Sequence, residues 1–159
     1  MRPDRAGFLR RYGGIYENSP WVAEAAFDRL SERANNNLAE LFAACVDAGS
    51  YEQKLALIRA HPDLAGKAAI AGNLTAESTD EQRSAGIDQC TAAEFGRFQA
   101  LNRKYKDKFG FPFVMAVRNS NRHEILAAFE ARIDNDVDTE FEMALAEIHK
   151  IAGLRMAAL

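Results

Sequence analysis

Apolar positions recur at helical spacing along most of the chain, and residues that start or stop helices interrupt them often. Ser19-Pro20 reads as an N-cap and first helical residue, opening a helix through Trp21, Ala25 and Leu30. Leu38, Leu41, Phe42 and Val46 share one helical face that stops at Gly49. Ser50 with Gln53 forms a capping box for the next helix, with Leu55 and Ile58 facing inward. His61-Pro62 breaks that helix, because proline disfavours helical geometry in the residue before it. Pro62 predicts a short helix through Leu64 and Ala68 to about Gly72. Ser78-Thr79-Asp80-Glu81 has the capping-box pattern with a stop at Gly86. Thr91 with Glu94 repeats it and opens a long helix, with Phe95, Phe98, Leu101 and Tyr105 on one side and Gly110 at the end. Asn121 with Glu124 opens a helix through Ile125, Phe129 and Ile133. The last presents Phe141, Leu145, Ile148 and Ala152.

One stretch departs from this rhythm. Phe111-Pro112-Phe113-Val114-Met115-Ala116-Val117 is apolar throughout, short for a helix, and Pro112 biases Phe111 toward extended geometry. It predicts a buried extended connection near residues 111–118. The chain has no Gly/Ser linker, internal repeat or low-complexity tract. The expectation is a single all-α domain, residues 1–159, of about eight short helices.

Composition supports this and narrows the function. Valine occurs five times and threonine four, against abundant alanine, which favours helix over sheet. Hydrophobic residues make up 48% and charged residues 27%, the balance of a folded chain. The net charge of −3, with both signs mixed along the length, lacks the basic stripe of a nucleic-acid binder. Two cysteines, Cys45 and Cys90, make neither a disulfide framework nor a Cys-rich zinc site, and a reducing compartment is expected. No run approaches the ~18 apolar residues of a membrane span. The N-terminus lacks the apolar core of a secretory signal. Neither nucleic acid nor membrane is therefore expected as a partner.

Three histidines are candidates for proton chemistry. His123 and His149 lie within predicted helices and read as solvated. His61 sits at the helix break, where its ring can project into a cleft or simply cap the preceding carbonyls. Ser78, Glu81 and Gln82 share one helix face at i, i+3 and i+4. The plain reading of Ser-x-x-Glu is a cap on a surface helix. Against it, Ile87 is the only sizeable apolar residue from Ser78 to Asp88, so this helix could instead line a polar pocket. Arg118 ends the apolar run, and a guanidinium beside a buried segment needs an anion, from the protein or from a ligand. Residues 113–118 cannot all pair within a helix, which leaves some of their N–H groups to donate to a bound anion. His61-x-Asp63 has no second cluster to make a metal site, and no serine-hydrolase elbow, phosphate loop or dinucleotide fingerprint occurs.

Taken in order, His61-Pro62-Asp63-Leu64-Ala65-Gly66, Ser78-x-x-Glu81-Gln82 and Phe109-Gly110-Phe111-Pro112-Phe113-Val114 form a specific set. Tyr105-Lys106-x-Lys108, Arg132-Ile133-x-Asn135-Asp136 and Glu140 extend it. The chain resembles the OHCU decarboxylase family, which acts on 2-oxo-4-hydroxy-4-carboxy-5-ureidoimidazoline in urate degradation. The resemblance implies an all-helical, cofactor-free, metal-free carboxy-lyase, often a homodimer, that turns a small ureidoimidazoline carboxylate into S-allantoin. It implies catalytic roles for His61 and Glu81. It implies substrate contacts by Pro62, Ser78, Gln82, Phe113, the backbone around Val117, and Arg118. The ending Ala157-Ala158-Leu159 is not a Ser-Lys-Leu address, so a cytoplasmic enzyme is expected. The alternative is a non-catalytic helical module that kept the fold.

Overall fold

The computed structural model describes residues 4–30, 37–65 and 74–159. Among these there are eight α-helices, one 3-10 turn and no strand. The helices are α1 (Arg5–Tyr12), α2 (Trp21–Asp28), α3 (Leu38–Asp47), α4 (Tyr51–Arg59), α5 (Ala76–Ser84), α6 (Ala92–Phe109), α7 (Arg122–Arg132) and α8 (Val137–Ala157). The 3-10 turn, Ile87–Gln89, follows α5. The short helix expected from Pro62 to Gly72 falls largely outside the described residues.

The local rules act as the sequence suggests at most boundaries. Ser50 and Gln53 close a reciprocal capping box on α4, and Thr91 and Glu94 one on α6. Gly86 and Gly110 take left-handed backbone (φ 76° and 77°), which a side chain would strain, and the chain turns there.

Two expected caps are corrected. Ser19 does not cap α2: Pro20 takes the cap position, and the Ser19 hydroxyl donates to the Glu17 carbonyl at 2.8 Å. Ser78 is not a cap either. Thr75 caps α5, its side chain accepting from the Ser78 N–H, so Ser78 lies one turn inside the helix. With its backbone already held by Thr75, the Ser78 hydroxyl is free for other work.

The helix α8 is the central pillar, packed against α3, α4 and α6. Its 21 residues span roughly 31 Å. Ala144, Leu145, Ile148, Ile151 and Ala152 form its buried stripe, and a charge closes each end of that stripe: Glu140 and Arg155. The segment after α6 is extended and buried as expected, with Phe111, Phe113, Val114 and Val117 in the core. The Phe113 ring stacks on Phe129 at 4.0 Å between centroids. These contacts give the segment a fixed place beside α8 without helical hydrogen bonds.

Candidate active site

A small pocket opens where α4 ends, α5 passes, the extended segment crosses and α8 finishes. His61, Pro62, Ser78, Glu81, Gln82, Phe113, Val117 and Arg155 contribute to its wall. Seven of the twelve residues that line it are ones the sequence had singled out as site residues. About 30 Å³ of it is open to a water molecule.

His61 is 7% exposed. Its Nδ1 lies 2.9 Å from the Leu57 carbonyl oxygen. A carbonyl only accepts, so Nδ1 carries the proton and Nε2 is left as a bare lone pair. The two sequence readings of His61 thus hold together: one edge of the ring caps α4 and the ring lines the pocket. Burial drives its pKa down to about 4, against the opposing pull of the Leu57 hydrogen bond and the Glu17 charge. The ring is therefore neutral at pH 7.

The polar face of α5 is buried, which overturns the surface-helix reading. The Glu81 carboxylate meets the Arg155 guanidinium edge-on, Nε to Oε2 at 2.8 Å and Nη2 to Oε1 at 2.9 Å. The Ser78 hydroxyl donates to the Glu17 carboxylate. Gln82 has both ends of its amide on the backbone after His61. Its Oε1 accepts from the Ala65 N–H at 3.1 Å and its Nε2 donates to the Asp63 carbonyl at 3.3 Å. It ties the His61–Ala65 turn to α5 and keeps at most one N–H for a ligand.

Arg118 stands elsewhere. The Ser120 N–H bonds the Val117 carbonyl at 3.0 Å, closing a turn whose corners are Arg118 and Asn119. Asn119 takes φ 70° there. Turn corners face solvent, so Arg118 is exposed and does not line the pocket. The buried guanidinium is that of Arg155, 7% exposed. Burial opposes its charge, but Glu81 and Glu17 outweigh that and raise its pKa. Sequence reasoning missed it although a signal was present: Arg155 continues the Ile148, Ile151, Ala152 stripe at helical spacing, a charge where an apolar residue belongs. Glu17 was missed because it lies in the loop between α1 and α2, where no periodicity marks a buried residue. It is 2% exposed, and Arg155 Nη2 reaches it at 3.0 Å. Burial works against its charge, yet hydrogen bonds from Ser78 and Thr75 and the charge of Arg155 hold its pKa below the usual carboxylate value.

Of the N–H groups in 111–118, that of Ala116 reaches a carboxylate, Glu147 Oε1 at 3.2 Å. The Val117 N–H has no acceptor among the described residues, and Val117 lines the pocket. Among the described residues no group of three His, Cys, Asp or Glu is placed to hold a metal. Nor is any described helix long and apolar enough to cross a membrane. His123 is exposed, while His149 is half-buried against Tyr16 and Asp47.

This is the arrangement of an all-helical protein with an acid–base pocket. A model of the family described as OHCU decarboxylase matches residues 2–157, and the chain belongs to that family. It is 42% identical over 156 residues to the 2-oxo-4-hydroxy-4-carboxy-5-ureidoimidazoline decarboxylase of Haloferax volcanii, covering 98% of this chain and 90% of that one. It is 40% identical to the protein of the same description from Halalkalicoccus jeotgali, covering 98% and 86%. A solved structure described as (S)-allantoin synthase superimposes with a TM-score of 0.74 at 35% identity, covering 98% of this chain and 50% of that one.

Proposed function

We propose that this chain decarboxylates 2-oxo-4-hydroxy-4-carboxy-5-ureidoimidazoline to (S)-allantoin without a cofactor, with His61 as the acid–base residue. The observation that carries this is an imidazole with a bare Nε2 in the same pocket as a carboxylate–guanidinium pair. The substrate's name sets out the chemistry. The carbon bearing hydroxyl and carboxylate adjoins the ring C=N carbon that bears the ureido group. When the bond to the carboxylate breaks, its electron pair forms a C=C with that neighbour. The C=N pair moves to the ring nitrogen, which takes a proton from solvent. The product is an enol. His61 Nε2 takes the enol proton and returns it to the ureido-bearing carbon on one face, leaving the carbonyl of allantoin. One proton is consumed and CO2 leaves.

A neutral His61 suits this order, since it must accept before it donates. The Glu17 charge favours the imidazolium that forms between the two transfers. Glu81 is our second catalytic residue, aimed at the substrate hydroxyl. Pro62 and Phe113 form the apolar wall, and the Val117 N–H is the donor for developing negative charge. Ser78 and Gln82 complete the contacts. The guanidinium at the pocket is that of Arg155 rather than Arg118, and it holds Glu81 and Glu17 in place beside the substrate. A cytoplasmic homodimer acting on a small-molecule substrate belongs to the same reading, and light scattering tests the dimer.

The test of function combines urate, urate oxidase and hydroxyisourate hydrolase with this protein and follows circular dichroism. Optically active allantoin should form faster than without it. No acceleration leaves the non-catalytic helical module as the reading of this chain.

A further inference from the structure

Counting donors and acceptors around the pocket gives an unequal result. His61 has its proton committed to Leu57, so it presents a lone pair. The single Ser78 hydroxyl proton is committed to Glu17, so Ser78 also presents a lone pair to the pocket. Both Glu81 oxygens are acceptors, already holding Arg155. The guanidinium has almost nothing left. Its Nε and Nη2 serve Glu81, Glu17 and Ser78, and its Nη1 lies 3.3 Å from the Gly14 carbonyl. At most one of its five N–H bonds is free, too few to grip a carboxylate with two. Two carboxylates against one guanidinium and a neutral imidazole leave this wall a net charge of −1.

We propose that Glu17 is a positioning residue that makes this wall an acceptor surface. By taking the Ser78 proton and one edge of Arg155, it turns Ser78, Glu81 and His61 into a row that reads substrate N–H and O–H groups. The substrate's ureido and hydroxyl groups face this row. Its carboxylate is left to the wall of Phe113, Pro62 and the Val117 N–H. Glu17 does not itself line the pocket; it acts through Ser78 and Arg155.

This rests on the decarboxylase reading, so turnover by the wild-type chain is measured first. Binding then tests the wall independently of turnover. (S)-Allantoin is compared by calorimetry with propylhydantoin, which carries an apolar chain in place of the ureido group. The acceptor row predicts allantoin tighter by at least about tenfold, the worth of one good hydrogen bond. Equal affinities overturn the proposal, whatever the variants do. In Glu17→Gln, KM and the allantoin Kd should rise in parallel by about tenfold, and Glu17→Asp should recover part of both. A merely structural residue would lower the active fraction and leave KM and Kd unchanged, which also overturns it. Should Glu17→Gln not fold, the wild-type ligand comparison and Glu17→Asp decide. A wild-type chain that prefers allantoin but does not turn over would sink the activity and leave the wall standing.

Discussion

The helix α8 carries two buried arginine–glutamate clusters about 22 Å apart along its axis, and they are built to different ends. Near its start Glu140 is fully buried and accepts from Tyr105 at 2.6 Å, Arg132 at 2.9 Å and Asn135 at 2.9 Å. Arg132 also donates to the Val114 carbonyl at 2.7 Å and lies 4.4 Å over the Phe113 ring. One cation meets one anion, and the neutral partners saturate the carboxylate. Near the other end of α8, Arg155 meets two carboxylates and lines a pocket. The first cluster clamps the extended segment from behind, and the second leaves charge unbalanced toward a cavity. Balance makes a scaffold, and imbalance beside open space makes a site that can bind and move protons.

Arg155→Met should have the largest effect, because it strands two buried carboxylates. Stability should fall by ~3–5 kcal/mol in calorimetry, and turnover should be lost by more than ~10²-fold. Arg132→Met strands one carboxylate that keeps its Tyr105 and Asn135 donors. It should cost about 3 kcal/mol in stability while kcat/KM of the folded protein stays within about tenfold of wild type. Collapse of turnover in both variants alike would erase the distinction between scaffold and site.

His61→Asn should lower kcat by at least ~10²-fold with helical dichroism intact. Near-wild-type turnover would remove His61 from the mechanism. The same ring gives the pocket cluster a pH signature. Its native pKa of about 4 lies below the unfolded value of 6.5. Between those values the unfolded chain binds a proton that the folded chain refuses, so stability falls as pH drops from 6.5 toward 4. The slope for one group is at most ~1.4 kcal/mol per pH unit. Glu17, with its lowered pKa, adds a loss further down, as pH falls through its native value. Denaturant titrations across this range should show the slope in wild type and a shallower one in His61→Asn. An identical slope in both would show that His61 is not the group responsible. The smallest effect belongs to Arg118→Gln. At an exposed turn corner it should change stability by less than ~0.5 kcal/mol and kcat/KM by only a few-fold. A loss as large as that of His61→Asn would place Arg118 back in the site.

Much of the site was legible in the chain because its residues sit at positions with local meaning. His61 precedes a proline, Ser78, Glu81 and Gln82 recur at helical spacing, and Phe113 and Val117 lie in an apolar run that Pro112 keeps extended. The differences have separate causes. Arg118 follows the apolar run in sequence, and adjacency in sequence was taken for adjacency in space. A four-residue turn was enough to point it outward. Ser78 looked like a cap because the pattern is common, and Thr75 three residues earlier had already filled that role. Glu17 carried no periodic signal, since its partners lie 61 and 138 residues away.

By itself, then, the order of residues determined the helices, their caps, the extended break and the family, because these depend on contacts within a few positions of each residue. Tertiary structure alone decided which arginine is buried, which hydroxyl points inward and which carboxylates share one guanidinium. Those are matters of long-range packing, where desolvated charges must find partners wherever the fold brings them.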